Sequence, residues 1–210
     1  MSGSSRARVV VLAGPSGAGK SRLAGRLHAA HGWPIMHLDD FYRDEDDPAM
    51  PRSEELGIVD WDHPDSWNRL AAVEALSTLV EAGEVETPVY DIARSRAVGA
   101  TTVTARPDDL VLAEGIFAAE TIAELGERGL LAGAYCVHHR PLVTFARRLV
   151  RDLRERRKPP WTLVRRGLAL MRDEPGVVAR QEALGALPAR ARDLEPLLSA
   201  RAVRPPSTTG

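Results

Sequence analysis

The apolar run "VVVLA" (residues 9–13) leads without a break into "GPSGAGKS" (14–21), which is followed by leucines at helical spacing (Leu23, Leu27). A short β-branched run bounded by glycine reads as a buried strand, and the apolar spacing over 19–31 reads as a helix. The pattern G-x-x-x-x-G-K-[ST], met by Gly14, Gly19, Lys20 and Ser21, falls between the two. In that setting glycines let the backbone curl so that successive N–H groups, including those of Ser16, Gly17 and Ala18, face phosphate oxygens. The helix starting near Gly19 adds its positive dipole end, and Ser21 offers a hydroxyl to a divalent cation. The rival reading is a glycine turn followed by a surface lysine. Composition weighs against it: of 28 basic residues only Lys20 and Lys158 are lysines. A compact ammonium on a flexible stem fits among β- and γ-phosphates where a broad guanidinium fork does not.

The rest of the chain supports one α/β unit. Further buried strands are expected at "PIMHL" (34–38), "DLVLAEGIF" (109–117) and "LAGAYCVHH" (131–139). A helix over 66–83 would be capped by Ser66 and stopped by Gly83, and an extended hairpin-like insertion lies near 84–105. Strands alternating with helices imply a mainly parallel sheet covered on both faces. At 210 residues a single domain over 1–204 is expected, with 205–210 as a disordered tail. A formal net charge of -1 argues against general affinity for nucleic acid or an anionic membrane. The lone Cys136 permits no internal disulfide, and neither a secretory signal nor a membrane span is visible, so a cytoplasmic setting is expected.

The glycine motif alone does not separate a kinase from a switch GTPase or a mechanical ATPase. "HLDDFYRD", at the carboxyl end of the second strand, is more selective, because in open α/β sheets that end faces the ligand crevice. A carboxylate there can take a proton from an acceptor hydroxyl and hold it in line with a γ-phosphate. Neighbouring strand residues point opposite ways, so Asp39 and Asp40 cannot share this task. Asp40 reads as a capping or solvated residue.

Taken in order, "GPSGAGKS", "LDDFY", "DWDHPDSW", "TPVYDIARSR", "LVLAEGIF" and "RRLVRDLRERR" resemble the uridine kinase family of P-loop nucleoside kinases over roughly residues 8–160. The resemblance implies a P-loop NTPase fold, a three-layer α/β/α arrangement with the insertion near 84–105 and a helical lid near 147–160. It also implies transfer of a phosphoryl group from ATP, with Mg²⁺, to the 5′-hydroxyl of a nucleoside such as uridine or cytidine. On the matching positions, Asp39 is the catalytic carboxylate and Tyr42 lies near the nucleoside. Asp62 accepts from the ribose hydroxyls, Tyr90 borders the base, and Arg96 ends the same segment. Glu114 is the Mg²⁺-side acid beside Ser21. Arg148 and Arg151 are catalytic lid arginines, Arg148 also touching the acceptor, and Arg156 contacts the nucleotide. The family has Tyr, then His five residues on, then Arg two further; here position 95 is Ser and no His is present.

Bland alternatives stand beside several of these. Tyr90 could be a hairpin aromatic packed on the core, "DWDHPD" a capped turn, and the arginine run 147–158 a solvated helix face or a nucleic-acid patch. Beyond about residue 160 the chain looks helical with no clear strand, leaving room for a homo-oligomer contact. Two other functions remain: a P-loop kinase of another alcohol (pantothenate-, sugar- or ribulose-phosphate-like) and a non-catalytic nucleotide-binding regulator. No Asn-Lys-x-Asp string that would read guanine is found.

Overall fold

A computed structural model describes residues 6–53, 57–138 and 175–202. The arginine-rich run, with Arg148, Arg151 and Arg156, lies outside these residues, as do the 147–160 lid and the 205–210 tail.

The "VVVLA" run forms β1 (Arg8–Ala13), and the glycine motif turns the chain into α1 (Lys20–His31). Then come β2 (Ile35–His37), a 3₁₀ turn at Leu38–Phe41, a second at Pro64–Ser66, and α2 (Arg69–Ala82). Strands β3 (Glu84–Asp91) and β4 (Arg96–Thr104) form an antiparallel hairpin of their own. After β5 (Leu110–Glu114) come a 3₁₀ turn at Ala118–Thr121, α3 (Ile122–Glu127) and β6 (Leu131–Val137). A helix over 175–183 (α4), β7 (Leu187–Ala189) and α5 (Ala191–Ala202) complete the described chain.

Five strands form one parallel sheet in the order β2–β5–β1–β6–β7. The alternation of strand side chains explains why β1 is apolar throughout. Val9 and Val11 pack on one face with Leu76 and Leu79 of α2 and Leu125 of α3. Val10 and Leu12 pack on the other with Leu23 and Leu27 of α1 and Leu194 and Leu198 of α5. The three-layer α/β/α architecture thus follows from one strand buried on both sides. Because the strands are parallel, Ala13, His37, Glu114 and Val137 all end at the same edge of the sheet.

Two local expectations need correction. Ser66 does not cap α2; Asn68 does, its side chain accepting from the Ala71 N–H, while Gly83 ends the helix in the left-handed conformation as expected. Ser66 is buried in the preceding turn and donates to the Trp61 carbonyl. The second correction is β7. This three-residue strand lies where none was visible, pairs only with β6 among the described residues, and contains Pro188. An edge strand tolerates a residue that cannot donate to the ladder.

Candidate active site

The glycine-rich turn is shaped by what lies behind it. Gly14 has φ of 138°, and a Cβ there would stand 2.2 Å from the Val137 carbonyl oxygen. Only glycine lets β6 come this close behind the turn. Gly17 and Gly19 also have positive φ, and Gly19 is the N-cap of α1. Ala18 is buried, Ser16 and Gly17 are partly exposed, and Lys20 is 6% exposed. The Lys20 ammonium lies over the curl and donates to the carbonyls of Gly14 (2.8 Å) and Pro15 (3.2 Å).

Glu114 ends β5 in the interior, 5% exposed. The Ser21 hydroxyl lies 3.0 Å from each of its carboxylate oxygens, and His37 Nδ1 lies 2.8 Å from Oε1. Burial pushes this carboxyl up, but the His37 hydrogen bond, the nearby Lys20 charge and Ser21 together hold it below the usual range. The same contact raises His37 above an ordinary imidazole. His37 was not singled out in the sequence. Its signal was its place at the carboxyl end of a strand, the rule that identified Asp39.

The sequence reading set Asp39 and Asp40 on a strand, with Asp40 capping or solvated. They lie instead in the single 3₁₀ turn after β2, and their carboxylates take different partners. Asp39 Oδ1 accepts from the Ile116 N–H at 2.8 Å. Asp40 is half-buried and its Oδ1 accepts from the Tyr90 N–H at 3.2 Å, tethering the β3–β4 hairpin to the turn. The turn is braced from below by buried Trp67, whose indole N–H donates to the Leu38 carbonyl (2.6 Å). Burial raises the Asp39 carboxyl above its usual range, opposed by the Lys20 charge and the Ile116 hydrogen bond. Gly115 makes this approach feasible: a Cβ on it would stand 2.9 Å from Asp39 Oδ1 and 3.0 Å from Leu38 Cβ.

Beyond Asp39 lies an aromatic wall. The Tyr42 ring meets Trp61 (6.0 Å between centroids), Tyr90 (5.9 Å) and Phe117 (6.0 Å). Burial pushes the Tyr42 phenol up, reinforced by the negative charges of Asp39 and Asp62 and by Tyr90, so Asp39, Tyr42, Asp62 and Tyr90 share one neighbourhood. The Tyr90 hydroxyl donates to the Arg43 carbonyl at 3.0 Å, and burial pushes its pKa up to about 12. Tyr90 is therefore tied to the turn after β2 rather than to the main core. Arg96 stands further out, exposed and paired with Asp46 at 3.3 Å. Trp61 and Phe117 also had no place in the sequence reading; "DWDHP" had drawn attention to its carboxylate alone.

No group of three or more His, Cys, Asp or Glu side chains that could hold a metal ion occurs among the described residues. A hydroxyl and a carboxylate oxygen side by side nevertheless suit a cation that keeps most of its waters and uses one or two protein oxygens. No described helix is long and apolar enough to cross a membrane.

The chain is similar to known proteins over most of its length. A uridine kinase of Lactobacillus johnsonii is 30% identical over 174 residues, covering 80% of this chain and 79% of the relative. One of Deinococcus deserti is 31% identical over 176 residues, covering 82% and 81%. Among solved structures, a chain from Silicibacter sp. TM1040 described as a candidate fructose transport system kinase superposes with a TM-score of 0.61. It is 19% identical, covers 90% of both chains and so speaks to the fold alone. The family model of phosphoribulokinases and uridine kinases matches residues 9–160. With that span and these relatives, the chain belongs to the phosphoribulokinase / uridine kinase family and is an ATP-dependent kinase.

Proposed function

We propose that the protein phosphorylates the 5′-hydroxyl of a nucleoside, uridine or cytidine being the first candidates, with ATP as donor. The observation that carries this reading is the position of Asp39. It is recessed at the carboxyl edge of the sheet, within electrostatic reach of Lys20, and next to the aromatic wall of Tyr42. An acceptor hydroxyl between Asp39 and the cradle would give its proton to the carboxylate. Its oxygen would bond to the γ-phosphorus as the bond to the β–γ bridging oxygen breaks and ADP leaves. The raised pKa suits this work, because it makes the carboxylate more basic than an ordinary aspartate.

The remaining roles follow from chemistry and position. Lys20 and the amides of 14–21 neutralise the terminal phosphates. Ser21 and Glu114 would hold Mg²⁺, which would supply charge neutralisation for the transferring phosphate. Asp62, exposed at the mouth, offers acceptor positions to a vicinal diol, and Tyr42, Tyr90 and Trp61 offer flat faces to a base. The lid roles of Arg148, Arg151 and Arg156 rest on the family resemblance alone.

Among the described residues, charge favours a neutral acceptor over the anionic alternatives. Asp39 and Asp62 lie near Tyr42, Asp40 and Asp44 near Tyr90, and Asp60 accepts from the Asp62 N–H. The cations among them are engaged: Arg43 with Asp47 and the Asp65 carbonyl, Arg96 with Asp46. A pantothenate-like carboxylate or a ribulose-phosphate-like anion would meet like charge there. The test is ADP release from ATP with a panel of nucleosides, neutral sugars and anionic alcohols. Nucleoside-dependent release supports the reading. Release independent of any acceptor, or confined to anionic alcohols, contradicts it.

A further inference from the structure

The peptide groups that hold Asp39 are themselves held. The Ile116 N–H donates to Asp39 Oδ1, and the Ile116 carbonyl accepts from Gln181 Nε2 at 3.0 Å. Gln181 belongs to α4, is 4% exposed, and its Oε1 lies 3.2 Å from Cys136 Sγ on β6. The orientation of the amide follows from its neighbours. A carbonyl can only accept, so it takes the NH₂ group, and the amide oxygen is left to accept from the thiol. One buried side chain thus joins β6, α4 and the loop after β5, and that loop aims the carboxylate on the turn after β2.

We propose that Gln181 is a positioning residue for phosphoryl transfer: it fixes the main chain at Ile116 and thereby the direction in which Asp39 presents its carboxylate. This rests on the reading of Asp39 as the acceptor base. Simple packing would be served as well by an apolar side chain of the same length, which has no use for hydrogen bonds to two different elements. Residue 116 is bonded at both its N–H and its C=O. Releasing the C=O lets the adjoining peptide rock, and the bond to Asp39 lengthens or tilts with it. Phosphoryl transfer is sensitive to such small displacements, since a misplacement of about 1 Å can cost about a hundredfold in rate.

The test uses the full-length protein. Gln181→Met keeps length and approximate volume and removes both bonds. Its kcat is expected to fall tenfold or more at saturating ATP and acceptor, with KM for ATP within twofold of wild type, because the cradle is untouched. Gln181→Glu is the second variant and carries the test should the methionine variant fail to fold. A buried neutral carboxylic acid can still donate to the Ile116 carbonyl, whereas the ionised form cannot. Its kcat relative to wild type should therefore fall as pH rises and recover on acidification. A kcat within twofold of wild type in Gln181→Met overturns the proposal, as does a Gln181→Glu loss that is the same at every pH. Asp39→Asn, assayed alongside, separates the two levels. A wild-type rate in Asp39→Asn removes the acceptor-base reading itself. An inactive Asp39→Asn beside a fully active Gln181→Met removes only the inference about Gln181.

Discussion

Replacing Gly115 by alanine adds one methyl group between two parts of the site. The new carbon would lie 2.9 Å from Asp39 Oδ1 and 3.0 Å from Leu38 Cβ, against an ordinary contact of at least 3.4 Å. About half an ångström must be found. Leu38 Cβ is bonded directly to the main chain of a turn clamped by Trp67, so the turn yields little. The Asp39 carboxylate is the softer neighbour, and it moves at the expense of its 2.8 Å bond to the Ile116 N–H. A hydrogen bond to a charged group is worth about 1.5–3 kcal/mol, so weakening it and misaiming the base should cost roughly 10- to 100-fold in kcat. Overpacking of this kind costs about 1–3 kcal/mol of stability, or roughly 2–12 °C in Tm for a chain of this size. The assay is ADP release at saturating ATP and acceptor, with KM for ATP and Tm measured on the same preparation. The expected result is a large fall in kcat, a moderate fall in Tm and an almost unchanged KM for ATP. A folded Gly115→Ala protein with wild-type kcat would refute the reasoning that the 114–116 loop aims Asp39.

Other perturbations test separate links. Lys20→Ala removes the buried ammonium from the cradle and should weaken ATP binding and turnover together; titration calorimetry and ADP release check both. The elevated Asp39 pKa sets an acid limb in kcat, with activity falling as pH drops through a value above the ordinary aspartate range; a pH–rate profile reads it. The Glu114–His37 pair makes a stability prediction with two signs. Glu114 is depressed, so its contribution is present above its unfolded value and lost as pH falls through the folded one. His37 is raised, so its contribution is complete below its unfolded value near 6.5 and lost as pH rises through the folded one. Tm of the ligand-free protein attributable to this pair should decline as pH rises above about 6.5 and through the raised folded value of His37, and His37→Gln should flatten that decline. Asn68→Ala removes the α2 cap and should cost about 1 kcal/mol without changing kcat, as paired denaturation and rate measurements would show.

The parts of the candidate site that could be read from the chain are those whose chemistry lies within one short segment. Lys20 and Ser21 sit inside a local pattern, Glu114 ends β5 and Asp39 lies in the turn after β2, where the parallel sheet brings distant segments to one edge. What could not be read depends on pairs far apart in sequence. The Asp40 tether to Tyr90 spans the long loop and α2, and nothing in "LDDFY" distinguishes such a tether from a cap. The Tyr42 contacts with Trp61 and Phe117 likewise join segments that only the fold brings together. Gln181 lies in a stretch that reads as plain amphipathic helix, and its partners at 116 and 136 appear only once β5 and β6 are side by side. Strand β7 escaped notice because three residues with a proline carry no usable periodicity, and its pairing with β6 alone supports it. Asn68 displaced Ser66 as the helix cap because Pro64–Ser66 had already formed a turn of its own.

On the reading proposed above, a carboxylate at position 39 takes the proton of an alcohol while the glycine-rich turn holds the donor. That reading is tested most directly by following transfer of labelled γ-phosphate from ATP to uridine in wild-type and Asp39→Asn proteins, with ATP affinity measured in parallel. The account predicts labelled nucleotide from the wild type and almost none from Asp39→Asn, at similar ATP affinity. Transfer at near wild-type rate by Asp39→Asn would contradict it.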